Sequence, residues 1–439
     1  MTDLLALSAR IIDEGRADGP ESANPMTGEL RELTDGIAMV EAFSHVIAFR
    51  TEAGLAVFDT SSEQFAPRVI AALGRWTNEP VDTIVYTHGH VDHVGGAGAL
   101  VADAAARHQR RPRIAGHHNI PDRFARYDMT NGYNGLINQR QFRTPEPYWM
   151  SDWVQPDTTF SDRLRVDVGG IDFDLRHDRG ETDDHAWAWV PQHEAICAGD
   201  FLTWVFPNAG NPQKVQRYPL EWARALRQMA ALEPELILPA HGLPIRGRKR
   251  ISGVLDDLAS ALESLVGQTL ALMNEGARLD RIIHEVELPS ALLDRPYMRP
   301  VYDEPEFVVH NIWRLYGGWY DGNPANLKPA PDVVLAAEVA ALSGGADRLA
   351  ARATELAEAG DLRLACHLVE LAGHAAPDDV AVHRARHDVY DRRRRSELSL
   401  MARGIYAAAA RSSAAIAGLG DQPAPGGTLL SAPPSAARD

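Results

Sequence analysis

The chain has 439 residues, 45% of them hydrophobic, with 44 Lys plus Arg against 60 Asp plus Glu and a formal charge of −16. That length predicts two domains rather than one core, and an acidic balance without any basic stripe excludes long nucleic acids as partners. Two cysteines, Cys197 and Cys366, are too few for a disulfide framework and fit a reducing compartment.

No apolar run approaches the roughly 18 residues that span a bilayer, which speaks against a membrane partner. The opening residues carry Asp3, Asp13 and Glu14 and no continuous apolar stretch, so they do not read as a signal peptide. A cytoplasmic chain is expected.

From Gly36 onward strands are predicted at Ile37 to Phe43, Val46 to Arg50 and Leu55 to Phe58, followed by a helix over Ala66 to Trp76 and a strand from Thr83 to Thr87. Residues 120–160 are rich in aromatics and asparagine and weakly periodic, and they are expected to form an irregular, lid-like insertion. Further strands follow at Leu164 to Val168, Ile171 to Leu175, Ala186 to Val190, Ala195 to Ala198 and Leu236 to Leu238. This alternation predicts α/β layering.

After Arg250 the pattern turns helical, at Val254 to Met273, Val333 to Leu342, Arg348 to Ala359 and Leu362 to Ala372, with Pro377 opening another helix. The arginine run Arg392 to Arg395 is the single basic cluster and reads as a solvated helix face. The Gly-, Pro-, Ala- and Ser-rich end reads as disordered.

The chemistry concentrates in Thr87-His88-Gly89-His90-Val91-Asp92-His93, directly after a strand. Three imidazoles and a carboxylate splayed by one turn suit a divalent ion, zinc above all, although ligand type narrows the metal without fixing it. Three later stretches supply further donors at strand ends: Gly180-Glu-Thr-Asp-Asp-His185, Ala198-Gly-Asp200 and Pro239-Ala-His241-Gly242. Asp59, ending another strand, is a candidate to support a ligand from behind. Cys197 reads as a packed small hydrophobe.

In this order the four motifs resemble the metallo-β-lactamase superfamily in its glyoxalase II-like form, over roughly residues 30–245. The resemblance implies two ions per chain, zinc or another divalent metal. His88, His90 and His185 would hold the first, Asp92, His93 and His241 the second, and Asp200 would bridge them. It also implies a shared hydroxide as nucleophile, oriented with Asp92 and Asp200 as catalytic carboxylates.

Two more stretches narrow the family. Val309-His310-Asn311 followed by Gly318-Trp-Tyr-Asp-Gly-Asn-Pro324 is similar to the dimerisation region of metal-dependent alkyl sulfatases, and Asn208 to Trp222 sits where those enzymes carry an arginine-containing loop. The implied architecture is an αββα metallo-β-lactamase sandwich over 1–245, an all-α dimerisation domain over 246–415 and a loose tail over 416–439. The implied activity is hydrolysis of a small anionic sulfate ester by a homodimer.

A guanidinium offers paired planar donors to a sulfate, which makes Arg217 the first choice for that contact, with Asn208, Asn211, Lys214 and His310 beside it. The same loop residues also serve as capping positions ahead of a helix near Leu220. The sequence departs from alkyl sulfatases in placing His185 and Asp200 where those enzymes have glutamates, with Glu181 and Asp184 nearby. The absence of a sterol-carrier-like continuation is a second departure. A carboxylic ester, lactone or thioester hydrolase is therefore the alternative. Iron redox chemistry lacks any flavin-binding or rubredoxin-like segment to deliver electrons.

Overall fold

The structure is a computed structural model that describes residues 3–15 and 23–420. Among the described residues a seven-stranded sheet runs in chain order through Leu30–Thr34, Ile37–Val40, Val46–Thr51, Gly54–Phe58, Val81–Val85, Arg113–His117 and Thr158–Phe160. Its first four strands pair antiparallel and the rest parallel. A six-stranded sheet orders Ile245–Arg246, Leu236–Pro239, Ala195–Gly199, Ala186–Val190, Ile171–His177 and Arg163–Val168.

Strand alternation assigns the two faces of the first sheet. Ile37, Met39, Ile47, Phe49, Ala56 and Phe58 point into a core shared with Phe173, Leu175, Trp187 and Ile196 of the second sheet. Their chain neighbours Val40, Val46, Ala48, Leu55 and Val57 turn the other way, onto Val69, Ala72 and Leu73 of the helix Ala66–Trp76 and Leu100 of the helix Ala97–Ala106. Helices Pro219–Ala231 and Arg248–Asn274 pack on the core that includes the second sheet. The result is the expected αββα layering, followed by helices.

Residues 120–160 differ from expectation. They hold two helices, Ile120–Met129 and Asn131–Phe142, before the chain becomes irregular. Pro121 opens the first, and Ile120, Phe124 and Tyr127 at helical spacing are its buried face. The helix Leu4–Glu14, capped by the Asp3 carboxylate, was also not foreseen.

The chain divides into two compact units, one made of residues 1–134 and 149–319, the other of 135–148 and 320–439. The second unit is helical, with Asp332–Ser343, Ala346–Glu358, Leu362–Ala375, Val380–Ser396 and Leu400–Ile416 as its main elements. Asp379, not Pro377, caps the helix Val380–Ser396. Residue 416 still ends a helix, and the tail expected beyond it lies outside the described residues after 420.

Candidate metal centre

Parallel strands deliver their C-terminal ends to one edge of the sandwich, and the donors sit on the turns that follow. Asp59 follows Gly54–Phe58, the His88 to His93 turn follows Val81–Val85, Asp200 follows Ala195–Gly199 and His241 follows Leu236–Pro239. Gly199 is obligatory there. Its φ is +53°, and a side chain would stand 2.7 Å from His185 Nε2 and 2.9 Å from Thr87 Cβ.

Two groups of donor atoms, each group within 4.8 Å, assemble: His88, His90, Glu181 and Asp200 in one, Asp92, His93 and His241 in the other. Asp200 touches both, with Oδ2 3.9 Å from His88 Nε2 and 3.4 Å from His93 Nε2, and Oδ1 3.6 Å from His241 Nε2. His241 Nε2 also lies 3.3 Å from Asp92 Oδ2, and His90 Nδ1 3.9 Å from Glu181 Oε1.

Six of the seven residues expected as ligands fall in these two groups, and His185 does not, although its ring lies 4.5 Å from that of His88. His185 Nε2 accepts the Asp200 backbone N–H at 3.1 Å, which spends its lone pair on the chain, and the ring stacks on Phe201 at 4.2 Å. Glu181 completes the first group instead. The cue in the sequence was the carboxylate directly after Gly180, in the same motif as His185.

Buried partners hold the donors. Asp59, itself at φ +59°, accepts His93 Nδ1–H at 2.7 Å and both the backbone N–H and the hydroxyl of Thr87 at 2.8 Å. This fixes the His93 tautomer with Nε2 turned to the cluster. On the other side Arg217 Nη1 pairs with Glu181 Oε1 at 2.5 Å and donates to the Asn208 carbonyl at 2.8 Å, while Asn208 Nδ2 donates to the same glutamate oxygen. Arg123 Nε donates to Asp184 Oδ2 at 2.7 Å, an oxygen that also accepts the Gly89 N–H at 3.0 Å and so ties down the histidine turn.

Asn311 closes the loop, accepting Arg217 N–H at 3.3 Å and donating to the Arg217 carbonyl at 2.9 Å. The sequence offers Glu181 and Asp184 only as nearby carboxylates and Asn311 only as part of the dimerisation motif, and it gives no sign of Arg123.

The electrostatics suit cations. Burial and neighbouring imidazoles hold His88 well below its usual range, and burial with the Arg123 charge does the same for His90. Burial pushes Glu181 up to about 7, with Arg217 opposing and Asp200 adding to the rise. Burial would lower His93 as well, but Asp200, Asp59 and Asp92 raise it well above the ordinary value. His93 Nε2, Glu181 Oε2 and Asp200 Oδ1 are buried without a hydrogen-bond partner. Orphaned donors and acceptors of this kind are costly in a folded chain, and a divalent ion held by imidazole and carboxylate satisfies them.

The substrate residues named from sequence fare differently. Arg217 is 3% exposed and its Nη1 is committed to Glu181 and Asn208, so it positions a ligand, although its Nε has no partner. Lys214 is half-buried with its ammonium 5.0 Å over the Trp149 ring. It lies close enough to Asp92 and Glu181 to feel their charge, and burial together with Arg217 lowers it to about 8. Asn211 is buried and accepts the Gln213 N–H at 3.0 Å. His310 is exposed on the helix Pro305–Gly317 and no described contact brings it to the cluster.

Residues 40–241 match the metallo-beta-lactamase superfamily and residues 278–415 the alkyl sulfatase dimerisation family. A linear primary-alkylsulfatase of Pseudomonas is 26% identical over 343 residues, covering 73% of this chain and 64% of that protein. An alkyl/aryl-sulfatase of Saccharomyces cerevisiae is 24% identical over 383 residues, 81% of this chain and 59% of that protein. The chain thus spans less than two thirds of the length of these curated relatives. Among solved structures, a stereoselective inverting sec-alkylsulfatase of Pseudomonas superimposes with a TM-score of 0.79 at 21% identity, over 88% of this chain and 65% of the other.

Proposed function

We propose, from the match of residues 40–241 to the metallo-beta-lactamase superfamily and of residues 278–415 to the alkyl sulfatase dimerisation family, that the chain is a binuclear, metal-dependent hydrolase of alkyl sulfate esters acting as a homodimer. Catalysis falls to the αββα region, dimer formation to the helical region that follows it. Zinc is the metal that the donor set favours. His88, His90 and Glu181 would hold one ion and Asp92, His93 and His241 the other, with Asp200 between them. Bound ions supply Lewis-acid polarisation of the ester and bring the pKa of water towards neutrality.

The chain's own residues do the rest. Asp92 and Asp200 are both held below the usual carboxylate range, against burial, by His93 and His241. Ionised at neutral pH, both accept hydrogen bonds from an entering water and aim its lone pair. The observation that carries the sulfate reading is Lys214, an ammonium with no carboxylate partner among the described residues, poised beside the donor cluster. It offers the anionic head of the ester a charge-assisted contact. The free Nε of Arg217 lies on the same loop.

The carboxylic ester, lactone or thioester alternative drew its support from a shell containing His185 and Asp200, and a first group that holds Glu181 beside Asp200 favours the sulfatase reading over it. Two unpaired cysteines, Cys197 and Cys366, support a cytoplasmic setting. The test is release of inorganic sulfate from short and long alkyl sulfates by metal-replete protein, beside panels of carboxylic esters and lactones. Turnover confined to the carboxylic panels would sink the sulfatase reading.

A further inference from the structure

The helical unit carries an unbalanced group of arginines. Helices Val380–Ser396 and Leu400–Ile416 run antiparallel, with His383 Nδ1 3.1 Å from Ser413 Oγ and His387 Nδ1 3.2 Å from the Ala410 carbonyl. Continued along the pair, that register brings Arg394 opposite Arg403. Beside them Gly404 admits a crossing segment. A side chain on it would stand 2.8 Å from the Arg140 carbonyl and 3.1 Å from Gln141 Cα. The chain then leaves its helix through Arg143, whose φ of +57° turns it out of the helical path. Arg411 lies two turns beyond Arg403 on the same helix face.

Charge makes the group unusual. Arg143 is partly desolvated and feels Arg394, Arg403 and Arg411 together, with Asp391 the opposing charge. Several other arginines of these helices have partners. Arg386 pairs with Glu370 at 2.9 Å, Arg393 with Glu397 at 2.5 Å, and Arg392 donates to the Ala357 carbonyl at 2.8 Å. Asp391 is divided between Arg394 and Arg395. Among the described residues no carboxylate pairs with Arg143, Arg403 or Arg411.

We propose that Arg143, Arg394, Arg403 and Arg411 form a binding site for a small, doubly charged tetrahedral oxyanion, sulfate or phosphate. Guanidinium forks match such an ion in charge and in donor geometry. In a chain of formal charge −16, a local excess of positive charge is not a general property of the surface. Folding tolerates the mutual repulsion, and a bound dianion relieves it. All four residues belong to the second compact unit, and none of them is among the donors of the metal centre or the residues on which the sulfatase reading rests.

The test uses the full-length, metal-replete protein. Thermal unfolding and calorimetric titration are run with sodium sulfate, sodium phosphate and sodium chloride at matched ionic strength, on the wild type and on the double variant R143Q/R403Q. The wild type should be stabilised by sulfate or phosphate beyond chloride. The variant should melt higher than the wild type without added dianion, lose that extra stabilisation and bind the dianion at least tenfold more weakly, with ester hydrolysis unchanged. Tighter binding of one dianion identifies the natural ion.

Equal stabilisation by all three salts would overturn the proposal, as would an unchanged response in the variant. So would a fall from dimer to monomer in the variant alone, because the arginines would then face a second copy of the chain. If the double variant does not fold, the comparison of salts on the wild type and the single variant R411Q applies the same criteria.

Discussion

The two donor groups that form the halves of the candidate metal centre are braced by opposite charges. Behind His93 stands an acceptor, Asp59, rooted at the end of a sheet strand. Behind Glu181 stands a donor, Arg217, rooted in the loop ahead of the helix Pro219–Ala231 and pinned there by Asn208 and Asn311. An imidazole presents a lone pair forwards only if the nitrogen behind it gives its proton to an acceptor, whereas a carboxylate ligand needs a donor behind it to stay ionised and aimed. The polarity of the supporting residue therefore inverts with the type of ligand, and the two halves should fail in different ways.

The largest contrast is expected between Glu181→Gln and His185→Gln. The first should lower bound metal from two ions towards one and cut sulfate release by on the order of 10²–10³. The second should keep both ions, because His185 serves the backbone of Asp200. Metal analysis of the purified variants decides it, and loss of metal in the histidine variant alone would reverse the assignment.

Next in size is Arg217→Met, which strands the buried Glu181 charge and should cost about 3–5 kcal/mol of stability in denaturant titration. The double change of Glu181 and Arg217 to Met should recover much of that loss. Additive costs would mean that the pair does not interact as drawn.

Asp59→Asn should be milder, weakening metal affinity about 10–100-fold through the His93 half alone. Competition with a chelator, following the two ions separately, reads this out. An equal loss at both ions would erase the distinction between the halves.

The smallest effect concerns pH. Burial lowers Lys214 to about 8, so its charge is present below that value and lost above it. KM for a sulfate ester should rise above pH 8 by at most about tenfold per unit, with Lys214→Arg flattening the rise. A wild-type KM that is level across this window removes Lys214 from the substrate site.

The legibility of the two halves in the sequence follows from the same difference. His88, His90, Asp92 and His93 share one turn, so chain proximity alone announces them. Asp200 and His241 end apolar strands, where the side chain after the last strand residue has few directions to take. Glu181 and His185 both lie in one irregular loop, and no periodicity tells which of the two turns inwards. What braces Glu181 is Arg217, which lies 36 residues further along, beyond the strands Ala186–Val190 and Ala195–Gly199. Residues 120–142 were misread for a similar reason: asparagine and glycine weaken helical patterning, and tertiary burial of Phe124 and Tyr127 supplies what propensity lacks.

The chain enters the helical unit twice, once for 135–148 and again from 320. A truncation at residue 319 would therefore leave residues 135–148 behind without Gly404, whose bare backbone receives Arg140 and Gln141. A gene fragment ending there should yield a misfolding or protease-sensitive product, and recombination that swaps only the C-terminal half would import helices lacking their native inserted strap. Heredity can shuffle these two parts only as an interlaced whole.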